Sequence, residues 1–165
     1  MIHSLNCADY LDHIAHLKKE GALNYDRDTK YWGNIPIEHT HLYDLYTIFE
    51  QGYKFLDLGC GAGNVLRFAQ NAGYEVTGVE LDEALFKYLE GYNYFSNDMR
   101  KLSPDFYSEY DVIYSYSPLK EGMQLFVDKV IASMKIGAYL VLPFRIVRNR
   151  NMKLIGRGYY KKIAK

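Results

Sequence analysis

One stretch limits what this chain of 165 residues can fold into. It is FLDLGCGAG, from Phe55 to Gly63. The apolar run at 53–58 predicts a short strand, which enters glycines at 59, 61 and 63, and a helical pattern begins at Asn64. Alternate glycines let the chain turn sharply and keep side chains from holding a ligand off the backbone. The helix that follows points its unpaired N–H groups at whatever lies above the turn. Such a turn at the carboxyl end of a strand is where open α/β sheets bind ligands.

Elsewhere the pattern alternates. Apolar positions Tyr10, Leu11, Ile14 and Leu17 predict a first helix ending at Gly21, and 22–37 reads as a loop containing Tyr25, Tyr31 and Trp32. A second helix is expected near Thr40, after His39 and beside His41, with Leu42, Leu45, Tyr46 and Phe49 inward. Val65, Phe68, Ala69 and Ala72 form the inner face of the helix after the turn. Strands are then expected at 74–80, 92–95, 111–116 and 138–143. Between them lie a helix capped by Asp82, with Ala84, Leu85, Tyr88 and Leu89 inward, and one over 121–135, burying Leu125, Phe126, Val130, Ile131 and Met134. Strands alternating with helices predict βαβ units and a mostly parallel, twisted sheet with helices on both faces. The last 22 residues predict at most one closing edge strand, within 158–164. We therefore expect a single domain: a helical and aromatic segment at 1–52, a core at 53–143 and a basic segment at 144–165.

Charge divides the chain. Residues 1–128 carry 10 Lys/Arg against 20 Asp/Glu, whereas 129–165 carry 10 Lys/Arg and no acid. A basic end of this kind suits nucleic acid or another anionic surface, or else is a solvated tail that offsets an acidic body. Cys7 and Cys60 match no metal spacing, and we expect free thiols, a reducing cytoplasmic setting and no metal. Neither a membrane span nor a leader pattern is expected.

The acid two residues before the first glycine makes the turn D-x-G-x-G-x-G, and Asn64 stands where a dinucleotide fingerprint needs a small residue. The pattern resembles the first motif of the class I S-adenosylmethionine-dependent methyltransferases, and the likeness extends over 40–143. It implies a Rossmann-like fold and S-adenosylmethionine as cofactor. It also implies that Glu80, ending the second strand, binds the ribose hydroxyls and that Leu81 packs on the adenine. Asp98, beside Met99, would accept from the adenine amino group. Asp57 would hold the ammonium of the methionine part against the backbone of Gly59, Cys60, Gly61 and Gly63. Ser115 and Tyr116, ending the fourth strand, fall where the family meets its substrate. Ser115, like Met99, is expected to border the cofactor, and Tyr116 with Tyr31 and Trp32 makes the candidate substrate pocket. Tyr116-Ser-Pro-Leu119 departs from the Asn/Asp-Pro-Pro-Tyr/Phe of amino-group methyltransferases. Their helix and hairpin beyond the fifth strand must be shortened or missing here.

The resemblance implies methyl transfer to a small-molecule acceptor, by positioning and without an assigned catalytic base. Two other readings stand beside it. One is a domain that binds the cofactor without turnover and serves a partner. The other is an RNA or DNA methyltransferase using the basic end, 145–165, to hold nucleic acid.

Overall fold

The computed structural model describes residues 7–20, 49–116, 122–143 and 145–165. Helix α1 is Cys7–Lys19, strand β1 Lys54–Leu58, helix α2 Asn64–Asn71 and strand β2 Glu75–Glu80. They are followed by β3 Asn93–Ser96, α3 Pro104–Ser108, β4 Val112–Tyr114, α4 Met123–Ser133 and β5 Tyr139–Val141. Strands β6 Met152–Gly156 and β7 Tyr159–Lys162 close the chain. One seven-stranded sheet runs in the order β3-β2-β1-β4-β5-β7-β6. Its first five strands are parallel, and β7 joins β5 antiparallel.

Alternation along β1 divides the core. Leu56 and Leu58 face α3 and α4, together with Ile113, Leu140 and Leu142. Phe55 faces the other way, into a layer that includes Ile14 of α1 and Val65, Phe68 and Ala69 of α2. Tyr74, Tyr114 and Tyr159 are buried in that second layer, with Tyr53, Tyr116 and Tyr139 packed against it. Phe55 stacks with Tyr74 and Tyr114 at 5.8 and 6.1 Å, and Phe49 lies 4.7 Å from Tyr139 and 5.9 Å from Tyr159, centroid to centroid. Each fully buried ring of this kind contributes roughly 2–3 kcal/mol.

Three expectations change. First, the segment after β2 is a 3-10 helix, Glu83–Tyr88, and not an amphipathic α-helix. Asp82 caps it as expected, accepting from Ala84 N–H at 3.0 Å. Ala84 is exposed, Leu85 and Tyr88 are half-buried, and Leu89 is the buried anchor. Second, α4 turns Leu125 outward, 79% exposed, and buries Met123 and Val127 instead. The spacing 123, 126, 127, 130, 131, 134 follows one helical face, and Leu125 falls opposite it.

Third, the carboxyl end forms two strands. β7 is interior and β6 is the edge, so the hairpin is present and the shortening falls on the helix: 145–151 contains none. β6 escaped notice because its exposed Leu154 and Ile155 flout the alternation of a half-buried strand, and a bulge lies between Leu154 and Gly156. The expected helix near Thr40 lies outside the described residues. Phe49, at its expected end, is buried.

Candidate functional site

The glycine turn is held by the end of β2. Gly59 and Cys60 both donate their N–H to the Val79 carbonyl, at 2.8 and 3.0 Å. Gly59, Gly61 and Gly63 have φ of 76°, 57° and 78°, the left-handed region in which a side chain is strained. Glu80 secures the loop from the far side. Its Oε2 accepts from Gly61 N–H at 2.7 Å, and its Oε1 accepts from Leu81 and Asp82 N–H, both at 2.8 Å. A carboxylate has about four acceptor positions, so Glu80 retains room for a further donor.

Asp57 is a different kind of acid. It is 2% exposed, and none of the described residues donates a hydrogen bond to it. Burial, with the Glu80 charge nearby, pushes its carboxyl well above the usual range. The buried thiol of Cys60 is pushed up for the same reasons, burial first and then the charges of Asp57 and Glu80. At the start of α2, Asn64 is 4% exposed, and its Oδ1 has no hydrogen-bond partner among the described residues. The turn therefore gathers acceptors that lack donors. It suits a ligand bringing positive charge and hydroxyl groups, and it would repel a phosphate.

Asp98 reaches the same edge of the sheet through the β2–β3 register, which pairs Glu80 with Ser96, and Asn97 N–H donates to the Glu80 carbonyl at 3.1 Å. Its carboxylate is engaged by Arg100. Oδ1 accepts from the backbone N–H at 3.0 Å and Nε at 2.8 Å, and Oδ2 accepts from a terminal guanidinium nitrogen at 2.6 Å. That fork holds the Asp98 carboxyl below its ordinary range. Met99 is buried in the main core, and its carbonyl accepts from the Tyr107 hydroxyl at 2.6 Å. Burial pushes Tyr107 up to about 12.

Ser115 ties the end of β4 to β1, its hydroxyl donating to the Leu58 carbonyl at 3.1 Å. Leu81 is 38% exposed beside Glu80, and Tyr116 is half-buried against the aromatic layer. The structure thus brings Asp57, Glu80 and the glycine turn together and delivers Asp98 to the adjacent strand end. Tyr31, Trp32, His39 and His41 lie outside the described residues.

Two residues of the site were not singled out as such by sequence. Gly78 pairs with Asp57 in the β1–β2 register, and a Cβ there would lie 2.6 Å from Cys60 Sγ and 2.8 Å from Leu66. A glycine inside a β-branched strand is the signal for such a close approach. Asn64 entered the sequence reading as a departure from a dinucleotide fingerprint, and its buried amide follows from helical phase alone.

A parallel sheet in this order, opened by an acid-flanked glycine turn, has the Rossmann-like class I fold of the S-adenosylmethionine-dependent methyltransferases. Residues 56–130 match the family model described as a methyltransferase domain, and over that stretch the chain is similar to that family. Similar solved structures include an S-adenosylmethionine-dependent methyltransferase from Mesorhizobium loti, 25% identical, with TM-score 0.51, covering 61% of this chain and 50% of that one. Another, from Archaeoglobus fulgidus, is 25% identical, with TM-score 0.53 and coverages of 62% and 49%. A TehB-like methyltransferase from Corynebacterium glutamicum shares the fold at 17% identity, with TM-score 0.56, covering 83% of this chain and 73% of that one. The chain spans about half the length of the first two. No curated protein matches the sequence.

Proposed function

We propose that this chain is an S-adenosylmethionine-dependent methyltransferase acting on a small-molecule acceptor. The observation that carries the reading is Asp57: a buried carboxylate without a hydrogen-bond donor among the described residues, beside Glu80, under a glycine turn. Leaving such a charge uncompensated is costly, and a cationic ligand relieves the cost. S-adenosylmethionine, when bound, supplies a methyl group on a sulfonium, already activated toward a nucleophile.

The chain's own residues then have positional work. Asp57 holds the ammonium of the methionine part, with Asn64 Oδ1 a further acceptor in the same turn. Glu80, kept in place by three backbone N–H groups, takes a ribose hydroxyl at its remaining acceptor position. Leu81 covers one face of the adenine. Asp98 accepts from its amino group, with Arg100 fixing the carboxylate's orientation and Met99 anchoring the strand end behind it. Ser115 fixes the end of β4, so that Tyr116, with Tyr31 and Trp32, borders the acceptor. Alignment of acceptor and methyl group supplies most of the rate, and effective molarities of roughly 10⁵–10⁸ M are within reach of good alignment. A reducing, cytoplasmic setting belongs to the same proposal and fits the free thiol of Cys60. Among the described residues no helix is long and apolar enough to cross a membrane.

A second reading rests on a separate observation, the coverage of about half of the first two relatives. On it, the chain binds the cofactor and leaves acceptor recognition to a partner, which could be nucleic acid held by 145–165.

Calorimetric titration with S-adenosylhomocysteine tests the shared element. Micromolar binding, about −8 kcal/mol, is expected for the parent, with clear weakening in Glu80→Ala and Asp98→Ala. Preference for a nicotinamide dinucleotide, or equal binding by both variants, overturns the assignment. Binding without methyl transfer to any small-molecule fraction selects the second reading.

A further inference from the structure

Asp98 stands on a segment with little backbone bonding of its own. It caps a single 3-10 turn, Met99–Lys101, on the way from β3 to α3. There Lys101 N–H donates to the Asp98 carbonyl at 2.9 Å, and Leu102 N–H donates to the Met99 carbonyl at 3.4 Å. So short a turn is weakly held by its own hydrogen bonds. The aim of the Asp98 carboxylate therefore depends on what else fixes the turn.

The two helices behind it do so. Met99 and Leu102 sink their side chains into the core shared with α3 and α4. The Tyr107 hydroxyl of α3 donates to the Met99 carbonyl at 2.6 Å. Lys129, half-buried on α4, holds two more carbonyls: its Nζ donates to those of Arg100 and Leu102, both at 2.8 Å. An ammonium has three donors, and this one commits two to the backbone of one turn. Among the described residues Lys129 forms no ion pair. The charges that act on Asp98 belong to Arg100 and Lys101. Lys129 thus reaches Asp98 through the backbone: it holds Arg100 by the carbonyl, and Arg100 holds the carboxylate by its N–H and guanidinium.

We propose that Lys129 is a positioning residue for cofactor recognition, fixing from α4 the turn that aims Asp98 at the adenine amino group. It thereby sets the preference for adenine over a base with oxygen at that place. The proposal rests on the cofactor reading above and adds to it a residue 29 positions from Arg100 in the chain. Recognition groups need placement within about 0.5 Å, which supporting contacts supply. Lys162 offers the comparison. Its Nζ also bonds two carbonyls, those of Ala132 and Met134 at the carboxyl end of α4, but they belong to no recognition group.

The test measures, by calorimetry on the full chain, affinities for S-adenosylhomocysteine and for its hypoxanthine counterpart, S-inosylhomocysteine. The counterpart carries a carbonyl where adenine has its amino group, and a carboxylate rejects it. The parent is expected to prefer S-adenosylhomocysteine at least about tenfold. Lys129→Met should weaken S-adenosylhomocysteine about tenfold and leave the counterpart unchanged, so that the preference collapses. Lys129→Arg, which keeps donors for both carbonyls, should restore part of it. Tyr107→Phe releases the Met99 carbonyl and should lower the preference in the same direction. Lys162→Met should lose stability and keep the full preference. A parent that binds neither ligand removes the cofactor reading, and one that binds both equally removes the role of Asp98; the proposal falls with either. Where the parent shows the preference, its retention in Lys129→Met overturns the proposal alone, as does equal weakening of both ligands. If that variant does not fold, retention in Tyr107→Phe has the same force.

Discussion

Two ionisable side chains are buried in this sheet to nearly the same degree: Asp57 at 2% exposure and Lys162 at 3%. Lys162 is fully employed. Its Nζ donates to the Ala132 and Met134 carbonyls, at 3.2 and 2.6 Å, and so satisfies the end of α4 from the neighbouring β7. Burial lowers its pKa, and those two carbonyls are what keep the charge tolerable. Asp57 has Glu80 for a neighbour and no donor among the described residues. One buried charge is thus matched by the fold, while the other is unmatched among the described residues. The contrast separates architecture from site more sharply than burial or charge alone.

Substitutions can break or sharpen it. Lys162→Met keeps the volume but strands two carbonyls, and should cost about 3 kcal/mol in chemical denaturation with the affinity for S-adenosylhomocysteine intact. If affinity fell with stability, Lys162 would belong to the site as well. Gly78→Ala drives a methyl group against Cys60 and Leu66 on the floor beside Asp57. A loss of about 2 kcal/mol is expected, here with weakened ligand binding.

Asp57→Asn should move the other way and stabilise the ligand-free chain. The sign follows from the elevated folded-state pKa. The stability associated with a protonated Asp57 is complete below the unfolded carboxylate value of about 4 and is lost as pH rises toward the folded value. The advantage of the asparagine variant in melting temperature should therefore grow with pH above about 4. A constant or reversed difference would mean that Asp57 has a partner. Arg100→Ala gives the smallest effect, since the arginine is 45% exposed. It should cost under about 1 kcal/mol of stability, while a drop in ligand affinity would show that the fork orients Asp98.

Much of the candidate site was legible because it is local. The strand, glycines and acid of 53–63 sit in one run, Glu80 ends a β-branched strand and Asp98 follows the next. What sequence could not give was pairing. Nothing in 158–164 reveals that β7 enters the sheet beside β5 and leaves β6 outside, because that choice is made by Tyr159, Tyr160 and Lys162 finding their layers. Nor does Asp98 announce Arg100 two residues on as its fork partner. Leu125 shows a different limit: hydrophobic identity suggested burial, and helical phase decided against it.

The most direct test of the central claim is titration with S-adenosylhomocysteine at several pH values, in buffers of contrasting ionisation enthalpy. An ammonium arriving at Asp57 should lower its elevated pKa. Binding is then predicted to strengthen as pH rises from about 4 toward neutrality, with proton release that disappears in Asp57→Asn together with most of the affinity. Binding by the parent without proton release over that range, matched by equal affinity in Asp57→Asn, would contradict the account.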